Sequence, residues 1–243
     1  MKPRAILFDV YGTLLELLQA PTAIETESEW HRWHAKWLGT RPSRIWEEHV
    51  GAVREEVNRC RTALQKRGIP HPEVIWNEIL DKVLPEWHRI PPSEREEATV
   101  ELAALTHRVR LYEAAGPFLK RLLGEGIFIG IASNAQPYSE TELSRELSRI
   151  GMDRPPWMPD LCFWSWRHGF AKPDPHVFRM LDVRIRRLGI RAAEVLMVGD
   201  RWDNDIEPAR MSGWKGWHLA REPLGGLGGD WEALVGAWDS FPS

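Results

Sequence analysis

The sequence predicts an α/β protein in which a parallel sheet, covered by helices on both faces, is interrupted after its first strand by an α-helical insertion. Three observations predict it. Short, wholly apolar runs occur at Ala5–Phe8, Ile127–Ala132 and Val195–Val198, as strands buried on both faces require. Helical patterns separate the runs of the second half, which is the order of βαβ units. Residues 16–108 read as almost wholly helical and are long enough to form a domain of their own. The expected division is therefore a catalytic core of residues 1–15 and 109–243 and a helical unit of residues 16–108.

The first run ends at Asp9, and Gly12 marks a turn. In the insertion, Thr26 and Glu29 have capping-box spacing and Gly39 ends that helix. Ser43 is placed to cap a second helix running toward Gly68, Pro72 and Pro85 bracket a third, and Ser93 with Glu96 opens a fourth. Pro117–Leu123 reads as a helix, and Gly124-Glu125-Gly126 as a turn before the strand Ile127–Ala132. An amphipathic helix follows over Ser139–Ile150, then a short strand Cys162–Trp164 and a helix His176–Leu188. Val195–Val198 and Trp217–Leu219 supply further strands. The stretch Gly225–Gly229 reads as a flexible connector to a final short helix, and lacks the strand-turn-helix setting of a dinucleotide fingerprint.

Composition narrows the function classes. The 243 residues are 43% hydrophobic and carry 32 basic against 35 acidic side chains, net charge -3. No dense basic run points to nucleic acid. The two cysteines, Cys60 and Cys162, lie far apart, which argues against a disulfide framework or zinc cluster and fits a reducing compartment. No signal-peptide core precedes Ala5 and no stretch is long enough to span a membrane. The expectation is a cytoplasmic enzyme, monomer or homodimer, acting on a small molecule without nucleic-acid or membrane partners.

Ligands of such sheets bind beyond the carboxyl ends of the strands. Asp9-Val10-Tyr11-Gly12-Thr13 follows the first strand, and Ser133-Asn134 follows Ile127–Ala132. Lys172-Pro173-Asp174-Pro175 precedes a helix, and Gly199-Asp200 with Asp203, Asn204 and Asp205 follows Val195–Val198. Each piece alone reads as a turn or helix cap; together, and in this order, they form a pattern. The collection resembles the haloacid dehalogenase (HAD) superfamily. The resemblance is carried by Phe8-Asp9-Val10-Tyr11-Gly12-Thr13-Leu14, Ala132-Ser133-Asn134, Lys172-Pro173-Asp174-Pro175, and Gly199-Asp200 followed by Asp205-Ile206. It implies a Rossmann-like core and a mobile helical cap inserted between the first two motifs. It also implies Asp9 as a covalent nucleophile. Ser133 and the backbone amide of Asn134 would hold phosphoryl oxygens, and Lys172 would neutralise charge. Thr13 would support the turn. Mg2+ would be held by Asp9, the Tyr11 carbonyl and Asp200, with Asp205 acting through water or orienting Lys172.

One position departs from the phosphatase branch. The second aspartate usual two residues after the nucleophile is Tyr11 here, as in the 2-haloacid dehalogenases, whose halide leaves without a proton. Gly199-Asp200 and Asn204-Asp205-Ile206 match the metal-dependent phosphatases instead. The expected function is an Mg2+-dependent phosphatase of a small phosphorylated metabolite. A 2-haloacid dehalogenase and a non-catalytic ligand-binding relative are the alternatives. In the phosphatase reading, Tyr11, a cap histidine such as His31 or His34, or solvent would supply the missing acid, and leaving groups of low pKa would be favoured. Trp30, Trp33 and Trp37 recur at helical spacing and read as a packed face. Trp202, between Asp200 and Asp205, reads as lining the site or packing on the cap.

Overall fold

The computed structural model describes residues 2–241. In chain order the elements are β1 (Ala5–Phe8), β2 (Leu15–Leu18), α1 (Ala23–Trp37), α2 (Trp46–Lys66), α3 (Trp76–Val83) and α4 (Arg95–Ala103). They continue with β3 (Arg108–Leu111), α5 (Ala115–Gly124), β4 (Phe128–Ser133), α6 (Pro137–Arg149), β5 (Cys162–Trp164) and α7 (Pro175–Arg187). The chain closes with β6 (Val195–Gly199), α8 (Glu207–Met211), β7 (Lys215–Leu219), β8 (Gly228–Gly229) and α9 (Trp231–Trp238).

Six strands form one parallel sheet in the order β5-β4-β1-β6-β7-β8. The alternation of side chains divides its core between two faces. Ile6, Phe8, Ile129, Ile131, Leu196 and Val198 pack with Phe118, Leu143, Leu147, Trp231 and Trp238 on one face. Ala5, Leu7, Phe163, Val195 and Met197 pack with Val177, Phe178, Leu181 and Trp214 on the other. These strands are apolar throughout because helices cover both faces. Phe8 stands opposite Ile131 on β4 and Val198 on β6, and β4 and β6 run on to Ser133 and Gly199, so the three strands end close together. The chain builds outward from β1 through β4 to β5, then returns to β6 on the other side. The crevice of such a reversal opens at the carboxyl ends of β1, β4 and β6.

The helices α1 to α4 close around their own apolar cluster, with Trp30, Trp33, Leu80, Trp87, Ile90 and Leu102 buried. Trp30 and Trp33 stack at 5.6 Å between ring centroids, so their helical spacing serves packing. The chain enters and leaves this unit through the antiparallel pair β2–β3, with Leu15 opposite Leu111. Residues 16–18 and 108 are thus strand, where the sequence reads as helix. The β3 side chains alternate in exposure, and a four-residue segment is too short for helical periodicity to register.

Three predicted caps are displaced. The capping box of α1 forms one turn early: Glu25 N–H donates to Thr22 Oγ1 at 3.3 Å and Thr22 N–H to Glu25 at 2.8 Å. Thr26 is instead buried, with its hydroxyl on the Thr22 carbonyl at 2.9 Å. Ser43 does not cap α2; the Trp46 N–H donates to Glu27 of α1 at 2.8 Å, so the cap comes from a neighbouring helix. Helix α4 starts at Arg95 after a turn closed by Glu94 N–H on Pro91 O at 2.8 Å, without a Ser93 cap. The Gly225–Gly229 connector is not wholly irregular, because Gly228 and Gly229 pair with His218 and Leu219 as the sheet's outermost strand. No described helix is long and apolar enough to cross a membrane.

Candidate active site

Asp9 leaves β1 with its N–H on the Val198 carbonyl at 2.9 Å. The chain then turns sharply: Thr13, Leu14 and Leu15 N–H all return to the Val10 carbonyl at 2.8 to 3.2 Å. Gly12, with φ +75, sits inside this turn, and a Cβ there would lie 2.4 Å from Asp200 Oδ2. The missing side chain is what lets Asp200 approach from the end of β6. Gly199 does the same for Asp205, whose Oδ2 would be 2.3 Å from an added Cβ. Asp205 is 1% exposed and accepts from the Arg201 N–H at 3.1 Å.

Lys172 lies at the centre. Its Nζ donates to Asp9 Oδ1 at 2.8 Å, Asp205 Oδ1 at 2.5 Å and the Ala132 carbonyl at 2.5 Å, which uses all three ammonium protons. Burial pulls the Lys172 ammonium down, but Asp205 and Asp9 outweigh it and its pKa is raised. Burial pushes Asp205 up against the pull of Lys172, and the charge of Asp9 adds to the rise. Asp200 is half-buried, and burial, then Asp9, raises its pKa. One carboxylate oxygen from each of Asp9, Asp200 and Asp205 lies within 4.8 Å of the others. Among the described residues no salt bridge reaches Asp200, so the group is anionic in excess of its one close cation.

Ser133 and Thr13 are buried, and among the described residues the Oγ of Ser133 and Oγ1 of Thr13 have no hydrogen-bond partner. Buried hydroxyls without partners are uncommon and suit a ligand-facing role. Asn134 has a further use: its Nδ2 donates to the Lys172 carbonyl at 2.8 Å, and the Lys172 N–H donates to its Oδ1 at 2.7 Å. This two-way clamp sets the backbone from which Lys172 reaches inward. Asp9, Thr13, Ser133, Asn134, Lys172, Asp200 and Asp205 lie around the ends of β1, β4 and β6, whereas the Tyr11 side chain does not join them.

Tyr11 turns away toward α6. Its hydroxyl donates to Glu142 Oε2 at 2.5 Å and lies 2.9 Å from Ser139 Oγ. Burial first, and Glu142 second, hold the phenol pKa far above its ordinary value. His107 Nε2 lies 3.1 Å from the other Glu142 oxygen. Glu142 and His107 were not selected from the sequence. The signal was available: Ser139, Glu142 and Glu146 fall on one face of α6, and all are buried. The two histidines that were selected lie elsewhere. His31 pairs with Glu27 at 3.4 Å, and His34 packs edge-on against Trp30 at 4.2 Å. Trp202 packs with His218 and Arg210 rather than on the helical unit.

Residues 3–213 match the family model described as haloacid dehalogenase-like hydrolase. Several solved structures share the fold over nearly the whole chain. A 2-haloacid dehalogenase from Pseudomonas syringae pv. Tomato DC3000 is 19% identical, with TM-score 0.57 and 99% of each chain covered. The HAD-hydrolase YfnB from Bacillus subtilis, bound to magnesium, is 16% identical, with TM-score 0.57 and coverage of 98% of this chain and 100% of that one. A HAD phosphatase from Thermococcus onnurineus is 18% identical, with TM-score 0.51 and 97% of each chain covered. No curated protein sequence matches the chain.

Proposed function

The chain belongs to the haloacid dehalogenase-like hydrolases, and from that premise we propose that it is a magnesium-dependent phosphatase of a small phosphorylated metabolite with Asp9 as the nucleophile. The reading rests on one observation: three carboxylates with oxygens within 4.8 Å share one close cation, which contacts only two of them. Like charges at that separation need a proton or a second cation. The donors are all hard oxygens, which suits Mg2+. Asp9, Asp200 and the Tyr11 carbonyl would hold the ion, with Asp205 oriented by Lys172 at its side. Bound there, it would supply charge neutralisation and alignment of the phosphoryl oxygens.

The chain's own groups do the rest. Lys172 holds Asp9 Oδ1 and leaves the other oxygen free to attack phosphorus. The bond from phosphorus to the leaving oxygen breaks, and its electron pair departs with that oxygen. Ser133 Oγ and the Asn134 N–H receive the non-bridging oxygens. Water then attacks the aspartyl phosphate, releasing inorganic phosphate and restoring Asp9. The Tyr11 proton is committed to Glu142, so the leaving oxygen draws its proton from solvent. Esters of acidic alcohols and phenols therefore react faster than alkyl esters. The helical unit acts as a cap that excludes water during attack.

A second reading, 2-haloacid dehalogenase, is favoured by Tyr11 at the acid position. There Asp9 attacks carbon and halide leaves without a proton. The half-buried Asp200 opposes it, because the substrate carboxylate would meet that charge. The deciding assay is a panel of an aryl phosphate, an alkyl phosphate and a 2-haloacid, with and without Mg2+, using Asp9→Asn as control. The expected result is aryl phosphate hydrolysis that is abolished by chelation and by Asp9→Asn. Metal-independent halide release with no phosphate release would replace the first reading by the second.

A further inference from the structure

The helical unit meets the core on α6, where Glu96 and Glu97 of α4 reach Thr141 and Arg145, and at a polar seam around Glu73. Glu73, in the loop between α2 and α3, is 5% exposed. Its Oε2 accepts from the Ser165 hydroxyl at 2.7 Å, and its Oε1 accepts from Gln136 Nε2 at 3.1 Å and from the Val74 N–H at 2.9 Å. Arg61 stands 3.6 Å away. Ser165 Oγ in turn accepts from the Ala135 N–H at 2.9 Å. The backbone is stitched alongside: Glu73 N–H donates to Gly169 O at 3.0 Å, Ala171 N–H donates to His71 O at 2.8 Å, and Pro72 bridges Phe170.

Both core segments held in this way adjoin site residues. Ala135 and Gln136 directly follow Ser133-Asn134, and Ala171 directly precedes Lys172. Asn134 and Lys172 are themselves clamped together. Apolar packing does not fill the seam, because a cleft of about 680 Å³ opens beside Glu73, lined by α2, α3, His168 and Phe170. A buried carboxylate costs desolvation energy, and an apolar side chain would close a seam at less cost. What the carboxylate adds is direction: two core donors, Gln136 Nε2 and the Ser165 hydroxyl, converge with the Val74 N–H on its two oxygens.

We propose that Glu73 is a positioning residue which couples the seating of the helical cap to the geometry of Ser133–Gln136 and Lys172. With the cap seated, its carboxylate fixes Gln136 directly and Ala135 through Ser165. With the cap lifted, both segments lose a partner. Cap closure then completes the phosphoryl-oxygen cradle as well as covering it. The kinetic part of this inference rests on the phosphatase reading.

The test uses the full chain with Glu73→Gln, which keeps size and one acceptor, and Ser165→Ala, which breaks the link from the core side. Hydrogen exchange of residues 133–139 and 169–172 is measured together with aryl phosphate turnover in Mg2+. Both variants are expected to exchange faster in those two segments and to lose kcat by about ten- to hundredfold, with KM changing less than about threefold. The double variant is expected to lose no more than the worse single one, since both cut one linkage. Unchanged exchange overturns the proposal, as does kcat within about twofold of the parent alongside faster exchange. If the parent hydrolyses no phosphate ester, the phosphatase reading fails and the exchange measurement alone decides the role of Glu73. A variant that does not fold is replaced in the comparison by the other.

Discussion

Replacing Lys172 by methionine keeps the length and apolar stem of the side chain and deletes its charge. The loss is readable from the contacts. Lys172 is 4% exposed, and its three protons go to Asp9, Asp205 and the Ala132 carbonyl at 2.5 to 2.8 Å. The variant leaves two neighbouring carboxylates and one carbonyl without that donor. Removing one partner of a buried ion pair costs about 3–5 kcal/mol. For a chain of this size that is a fall in Tm of about 6–20 °C.

The penalty must depend on pH. Without the cation, burial and the repulsion of Asp9 raise the folded-state pKa of Asp205 further above the unfolded value of about 3.9. A carboxyl with a raised folded pKa binds more protons folded than unfolded. Stability is therefore retained at low pH and lost as pH rises from about 4 through the raised value. Urea unfolding of the parent and Lys172→Met is compared at pH 5 and pH 8 in the presence of chelator. The gap in stability is expected to be about 3–5 kcal/mol at pH 8 and clearly smaller at pH 5. A gap below about 1 kcal/mol, or one equal at the two pH values, would refute the placement of Lys172 between the two acids.

Gly12→Ala places a Cβ 2.4 Å from Asp200 Oδ2 at a φ of +75. It is expected to destabilise the fold by about 1–3 kcal/mol and to abolish thermal stabilisation by Mg2+; a Tm equal to the parent's in both conditions would contradict this. His49 lies tilted against Trp30, with ring centroids 4.6 Å apart, and burial, then His34 and Arg44, lowers its pKa to about 4. The unfolded chain takes up this proton first, so stability falls as pH drops from about 6.5 to about 4 and levels below that. Between pH 7 and pH 4.5 the parent is expected to lose about 2–3 kcal/mol more than His49→Phe, measured by urea midpoints; equal losses would show the imidazole to be hydrated.

The layout of the core was legible in the chain because its cause is local. A strand buried on both faces must be apolar at every position, so Ala5–Phe8, Ile127–Ala132 and Val195–Val198 are visible as runs. The polar residues that end them mark the strand tips, and the in-register parallel pairing brings Asp9, Ser133 and Asp200 to one edge. Helix boundaries were less legible, since the sequence repeats the capping spacing at Thr22 and Thr26 and only burial of Thr26 decides between them. The Trp46 N–H is met by Glu27 of a neighbouring helix, a partner that no local rule selects.

What tertiary structure alone decided is the pairing of polar side chains across distance. Lys172 meets Asp9 across 163 positions, Tyr11 meets Glu142 across 131, and Glu73 meets Ser165 across 92. A carboxylate or phenol carries no periodic signal of its partner. Its direction is set by which helix packs over which strand, and that follows from summed burial of apolar surface over the whole chain. So the residue types at the strand ends announce the chemistry. The turning of Tyr11 to α6, the clamp of Asn134 on Lys172 and the seating of Glu73 exist only once the layers have packed.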